Sequence, residues 1–215
     1  MKLNDDFTAR TLVHAARLDW QPSPSPGVER RMIFRIGEEK ARATSIVRYA
    51  PGSRFSQHMH PGGEEFLVLD GVFEDEHGAY PAGSYVRNPP GSHHSPASGP
   101  GCSIFVRLWQ FREDDGEQVV APPGCTGVLF ENPHEQVRIE EWAAGEVRQL
   151  DNPRGLELLV LAGGFSDGRD RLEALSWLRL PAGMPLRAQA GPDGARVWLK
   201  DAALQQRDAS ERLAE

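Results

Sequence analysis

Cysteine is nearly absent from this chain. Among 215 residues there are two, Cys102 and Cys125, with 22 residues between them. No Cys-x-x-Cys pair exists, which excludes a cysteine zinc knuckle. Both are read as reduced thiols, since disulfides are rare in the cytosol. Long apolar runs are missing too. No stretch approaches the roughly 18 residues of a membrane span. The opening residues, MKLNDDFTARTL, hold no apolar signal core, so the expectation is a cytoplasmic protein with no membrane partner. Positive charge is in deficit: 24 Lys and Arg stand against 31 Asp and Glu, for a net charge of −7. That balance argues against a nucleic-acid partner.

What the chain does have is glycine and proline, 22 and 17 residues, spread along its length. They divide short β-rich segments: TSIVRYA, EEFLVL, GSYVRN, CSIFVRLW, LELLVL, LSWLRL and ARVWLK. Many short strands between Gly/Pro turns predict an all-β sandwich or barrel. With 39% hydrophobic and 26% charged residues a packed core is expected, not disorder. The tail DAALQQRDASERLAE is expected to begin as strand and end as a short surface helix.

A repeat is present at an offset of 92 residues. Residues 61–73, PGGEEFLVLDGVF, fall on residues 153–165, PRGLELLVLAGGF, with eight identities in thirteen positions. The same offset lays Arg87-Asn88-Pro89-Pro90-Gly91 on Arg179-Leu180-Pro181-Ala182-Gly183, and Gly99-Pro100 on Gly191-Pro192. Two tandem copies of one β domain are therefore expected, 1–112 and 113–215, joined near REDDGEQ.

The copies differ at a few positions. His58 meets Leu150, His60 meets Asn152, Glu64 meets Leu156 and His94 meets Leu186, whereas Glu65 meets Glu157. Glu64 thus groups with the histidines and Glu65 with the scaffold. Strand side chains alternate faces, so His58 and His60 share a face. Glu64, Phe66 and Val68 share another, which can turn toward the same interior. Imidazoles and a carboxylate at this spacing suit a divalent metal. A buried Glu64 with no such partner would be costly. Phe66, Val68, Tyr85 and Phe105 are candidate pocket walls by alternation, with core packing as the alternative. His14, His77 and His134 lack a partner pattern and are read as surface or hydrogen-bonded residues.

The spacing of these residues resembles that of the cupin superfamily. Gly52, His58, His60, Glu64 and Gly71 fit its first motif, G(x)5HxH(x)3,4E(x)6G. Gly83, Pro89, Gly91 and His94 fit its second, with Ser98 in place of the closing Asn. The resemblance implies a jelly-roll barrel in each half, a bicupin whose second domain is degenerate. It implies His58, His60, Glu64 and His94 as the metal ligands, with His94 preferred over its neighbour His93. The phrases GVERRMIFRIG, ARATSIVRYAPGSRFSQHMHPGGEEFLVLDGVFEDEHG and YPAGSYVRNPPGSHHSP resemble, more narrowly, the cupin proteins named after the ChrR anti-sigma factor.

That narrower resemblance implies one metal ion in the first domain, and zinc as that metal. The donor set by itself suits iron, manganese, nickel or copper equally. It implies a sensory or regulatory role, in which the metal reads a small molecule or a reactive oxygen species and the barrel signals to a regulatory protein partner. The His-x3-Cys-x2-Cys motif of the anti-sigma zinc domain is not in this sequence, which argues against direct sigma-factor inhibition. The alternative is a metal-dependent dioxygenase of the acetylacetone- or quercetin-cleaving cupin type. Catalytic residues are not assigned. Leu67 and Leu69, opposite the ligand face, with Leu159 and Leu161 in the second copy, imply an outer face covered by the other domain or by a second subunit, so tight packing of the two domains and a homodimer are expected.

Overall fold

The computed structural model describes residues 1–204; the helical end expected for the tail lies outside them. Its start agrees with expectation, since Asp201 and Ala202 close a strand. Every β-rich segment singled out above is a strand or lies largely in one, and among the described residues the sole helical element is a 3-10 turn at Ala15–Arg17. No helix among them is long and apolar enough to cross a membrane. Period-two alternation and β-branched residues favour strand, and the Gly/Pro turns end each strand before the next begins.

The chain forms two compact units. The first contains residues 1–5 and 19–124. Its main sheet runs, by neighbour, Lys2–Leu3, Val28–Gly37, Ala41–Tyr49, Cys102–Leu108, Glu64–Asp75, Tyr85–Asn88 and Val119–Ala121. A separate two-stranded ribbon pairs His58–His60 with Ser92–His94. Phe66, Val68, Phe73, Ile104 and Val106 are at most 4% exposed and form the core of this unit. Each such side chain contributes roughly 1.5–3 kcal/mol on burial.

The second unit contains residues 6–18 and continues from Cys125. Its sheet runs Gly127–Glu131, Glu135–Trp142, Leu186–Ala202, Leu156–Ser166, Ser176–Leu180 and Thr11–His14. These bounds correct the expected division at residue 112. Thr11–His14 pairs antiparallel with Ser176–Leu180 and supplies that sheet's edge. Val119–Ala121 pairs with Tyr85–Asn88 and belongs with the first unit.

Strand register follows the 92-residue offset. In the first unit Glu64, Glu65 and Leu67 face Asn88, Arg87 and Tyr85. In the second Leu156, Glu157 and Leu159 face Leu180, Arg179 and Trp177. His58 pairs with His94, and Leu150 with Leu186. A bulge recurs as well. Gly71 has φ +70°, and a Cβ there would stand 2.0 Å from the Gly101 carbonyl oxygen. Gly163 has φ +64°, with the Gly194 carbonyl oxygen at 2.2 Å from such a Cβ. Only glycine fits either place.

Candidate metal centre

The short ribbon brings the three histidines together. His58 and His94 are directly opposed across it, and His60 lies two residues along, on the same face. One ring nitrogen from each of His58, His60 and His94 lies within 4.8 Å of the others. The Nε2 atoms of His60 and His94 are 3.0 Å apart. Glu64 Oε2, from the neighbouring strand, is 3.4 Å from His94 Nε2 and 3.7 Å from His60 Nε2. His60, Glu64 and His94 are buried. His93 is exposed.

Hydrogen bonds fix two of the rings. His58 Nδ1 is 3.1 Å from the Ser56 carbonyl oxygen. His94 Nδ1 is 3.2 Å from Asp75 Oδ2. A carbonyl and a carboxylate only accept, so Nδ1 is the donor in both rings. In the neutral rings Nε2 then carries the lone pair. Ring nitrogens gathered within 4.8 Å of one another beside a carboxylate fit a cation, and the donor set of imidazoles and one carboxylate fits a divalent transition metal.

The electrostatics of the site follow from burial and from these partners. Burial lowers the pKa of His60, and the neighbouring histidines add to that, against the pull of Glu64. Burial opposes charge on His94 as well, but the hydrogen bond to Asp75 and the nearby Glu64 outweigh it and raise its pKa. Burial acts to raise Asp75, yet the bonds from His94 and the His77 N–H leave it lower than usual. Burial, with Glu64 nearby, pushes the Tyr49 phenol well above its ordinary range.

Beside this cluster is a cavity of about 660 Å3 within the first unit, and His58, His60 and Glu64 line it. Its other walls come from Ala43, Val47, Ile104, Val106 and Leu108, with Tyr49 and Trp109. Phe66, Val68, Tyr85 and Phe105 are not among the lining residues. Phe66 and Val68 share the face of Glu64 but are packed into the core. Register sets Tyr85 and Phe105 opposite Leu67, hence on the other face. There the Tyr85 hydroxyl donates to Glu65 Oε1 at 2.5 Å and Arg107 Nη1 to Glu65 Oε2 at 2.6 Å. Glu65 is therefore a buried scaffold residue, as its retention in the repeat implied.

Sequence reasoning missed Asp75, the carboxylate that orients His94. It missed the cavity's arginines as well: Arg30, Arg35 and Arg54. Of the histidines expected to lie outside the site, His14 bonds Ser176 Oγ through Nδ1 at 2.9 Å, while His77 and His134 are exposed. Both cysteines are free. Burial pushes the Cys102 thiol up to about 11, away from thiolate chemistry at neutral pH.

Solved structures share the fold. A Nostoc punctiforme protein provisionally described as a dioxygenase matches over 93% of this chain and 85% of its own, at 15% identity and TM-score 0.71. The Escherichia coli pirin YhhW in complex with nickel(II) matches over 90% and 99%, at 13% identity and TM-score 0.70. A cupin 2 conserved barrel domain protein from Leptotrichia buccalis matches over 89% and 96%, at 14% identity and TM-score 0.59. No curated protein matches the chain in sequence. Residues 8–112 match the family model of the ChrR Cupin-like domain, and the chain has the cupin fold.

Proposed function

We propose that the first unit is a metal-dependent cupin acting on a small organic molecule, with the metal held by His58, His60, Glu64 and His94. One observation carries this reading: the cavity of about 660 Å3 shares His58, His60 and Glu64 with the donor cluster. Small-molecule sites typically span ~300–1,000 Å3. A metal there would supply Lewis acidity and open coordination positions for a diketone or enol and for dioxygen. The chain's own residues do the rest. Asp75 holds the His94 proton on Nδ1, so that Nε2 faces the site. Asn88 Nδ2 lies 3.4 Å from Glu64 Oε2 and steadies that carboxylate. Val47, Ile104, Val106 and Leu108 keep the wall apolar and limit water around the reacting groups. The reaction class is that of diketone- or enol-cleaving dioxygenases.

The match of residues 8–112 to the ChrR Cupin-like domain favours a second reading. In it the same centre binds zinc and signals occupancy to a regulatory partner. Under either reading the chain is a bicupin in which the second unit retains the scaffold without the ligands, and a homodimer is its expected assembly.

Elemental analysis of protein purified without added metal tests both. About one redox-active metal per chain, with oxygen consumption on diketones, supports the dioxygenase. About one zinc per chain without oxygen consumption supports the sensor. No metal, even after reconstitution, overturns the site. His58→Ala and Glu64→Gln should lose most of the metal, while Glu65→Gln should keep it.

A further inference from the structure

The end of the cavity away from the histidines is cationic. Arg35 is 5% exposed and lines it. Its Nη2 donates to the carbonyl oxygens of Glu38 and Glu39, and it has no carboxylate partner among the described residues. Beside it, Arg30 also lines the cavity and bonds both oxygens of Glu39, at 3.2 and 3.4 Å. Burial, and then the charge of Arg30, lower the pKa of Arg35, against the opposing charges of Glu39 and Glu38. Arg54 lines the cavity as an exposed side chain. Two guanidinium groups, of Arg30 and Arg35, thus stand beside Glu39, and the charge of Glu38 also acts on Arg35. This occurs in a chain whose overall charge is −7. Buried charges are ordinarily paired, because an unpaired one loses its hydration without recompense. A guanidinium with free N–H groups on a cavity wall is a fitted receptor for a carboxylate.

Register gives the scale. Across four strands Arg35 faces Ala43, Arg107–Leu108 brings Leu108 opposite Ala43, and Leu108 faces Glu64. Three strand spacings of ~4.8 Å separate the Arg35 and Glu64 backbones by roughly 14 Å. Less the reach of the two side chains, that leaves room for a few bonded carbon atoms. The residues on that path, Ala43 and Leu108, are apolar and line the cavity.

We propose that the molecule taken into this cavity is a short oxo acid, its carboxylate held by Arg35 with Arg30 beside it and its carbonyl oxygens turned toward the histidines. The carbonyl end rests on the metal reading above, whereas the carboxylate end requires no metal. Two probes separate the parts: 2,4-dioxopentanoate and 2,4-pentanedione, which differ by a carboxylate in place of a methyl group. Titration calorimetry on the full chain, metal-depleted and zinc-loaded, measures both. The acid should bind at least ~10-fold more tightly than the dione, as a charge-assisted hydrogen bond implies. Arg35→Gln should abolish that preference while metal content stays unchanged. Arg30→Gln, which leaves the Arg35 contacts to the chain intact, should reduce it if Arg35→Gln does not fold. Equal affinities for the two probes, binding of neither, or a preference that survives both substitutions would overturn the proposal. A preference for the acid in protein that takes up no metal would uphold the carboxylate end and reject the metal reading alone.

Discussion

The same strand register carries two different interiors in the two units. At the first, His58 and His94 face each other, with Glu64 beside them. At the second, Leu150 and Leu186 face each other and Leu156 takes the place of Glu64. Leu156 and Leu186 are at most 2% exposed and belong to one apolar cluster with Leu158, Val160 and Leu199, against which Leu150 packs. Asn152, in the place of His60, turns to the backbone. Its Nδ2 donates to the carbonyl oxygens of Pro181 and Met184 at 2.8 and 3.0 Å, and its Oδ1 accepts from the Gly155 N–H at 2.8 Å. The difference teaches how little of this fold is bound to the site. Four side chains decide between a polar centre and a dry core on one backbone. The leucines stabilise their unit outright, by roughly 1.5–3 kcal/mol each. The buried Glu64 and its imidazoles incur a desolvation cost, which a bound metal would offset.

The largest effect is expected from writing the second interior into the first. The combined variant His58→Leu, His60→Asn, Glu64→Leu and His94→Leu should lose essentially all of its metal. Its melting temperature should also stop responding to a chelator, because the linkage between metal binding and folding is gone. Undiminished metal content in this variant would put the centre elsewhere. The reverse exchange is smaller but still large. Leu156→Glu places a carboxylate in the apolar cluster without the imidazoles that accompany Glu64. It should destabilise the second unit by about 3–5 kcal/mol, the cost of an uncompensated buried charge with loss of a packed leucine. Urea unfolding followed by tryptophan fluorescence measures it. A loss below ~1 kcal/mol would mean that this interior is hydrated, contrary to its packing.

Much of this contrast was legible in the residues. The two imidazoles at period two, and the later histidine at a fixed distance from a Pro-x-Gly turn, lie where strand geometry must bring them together. The choice between Glu64 and Glu65 could be read from the repeat, because only the scaffold glutamate recurs. Other features left no local trace. The pairing of Thr11–His14 with Ser176–Leu180 joins segments more than 150 residues apart, and nothing within TLVH announces it. The long strand Leu186–Ala202 runs through Gly191-Pro192-Asp193-Gly194, a sequence that reads as a turn. The pocket residues failed because alternation identifies a face without saying which part of it is filled. Phe66 and Val68 fill the core, and the open space lies against Ala41–Tyr49 and Cys102–Leu108. Asp75 was hidden by the bulge. Counting by twos from Glu64 puts Asp75 on the opposite face. The register slips between Val68 and Asp70, next to the left-handed Gly71, and the parity reverses. Phe73 and Asp75 then return to the side of Glu64, where Phe73 packs with Phe66 and Asp75 meets His94.

Asp75 gives the subtlest test, since it touches the first interior without being one of its donors. Its Oδ1 accepts from the His77 and Gly78 N–H groups and from the Tyr80 hydroxyl, and only Oδ2 faces His94. Asp75→Asn can keep Oδ1 and the turn it holds. It replaces Oδ2 with an amide that donates, so His94 Nδ1 must become an acceptor and the ring proton must move to Nε2. That nitrogen then has no lone pair for a metal until the proton is lost or the ring turns. Metal affinity, measured by competition with a chromophoric chelator, should fall by ~10–100-fold, the usual cost of losing an orienting partner. The metal-free protein should melt close to wild type, because the turn survives. The equivalent residue of the second unit, Asp167, bonds Arg10 through Oδ2 at 2.5 Å rather than a histidine, and Asp167→Asn should leave metal affinity unchanged. Equal metal affinity in Asp75→Asn and wild type would reduce Asp75 to a turn residue and leave the orientation of His94 to the ribbon alone.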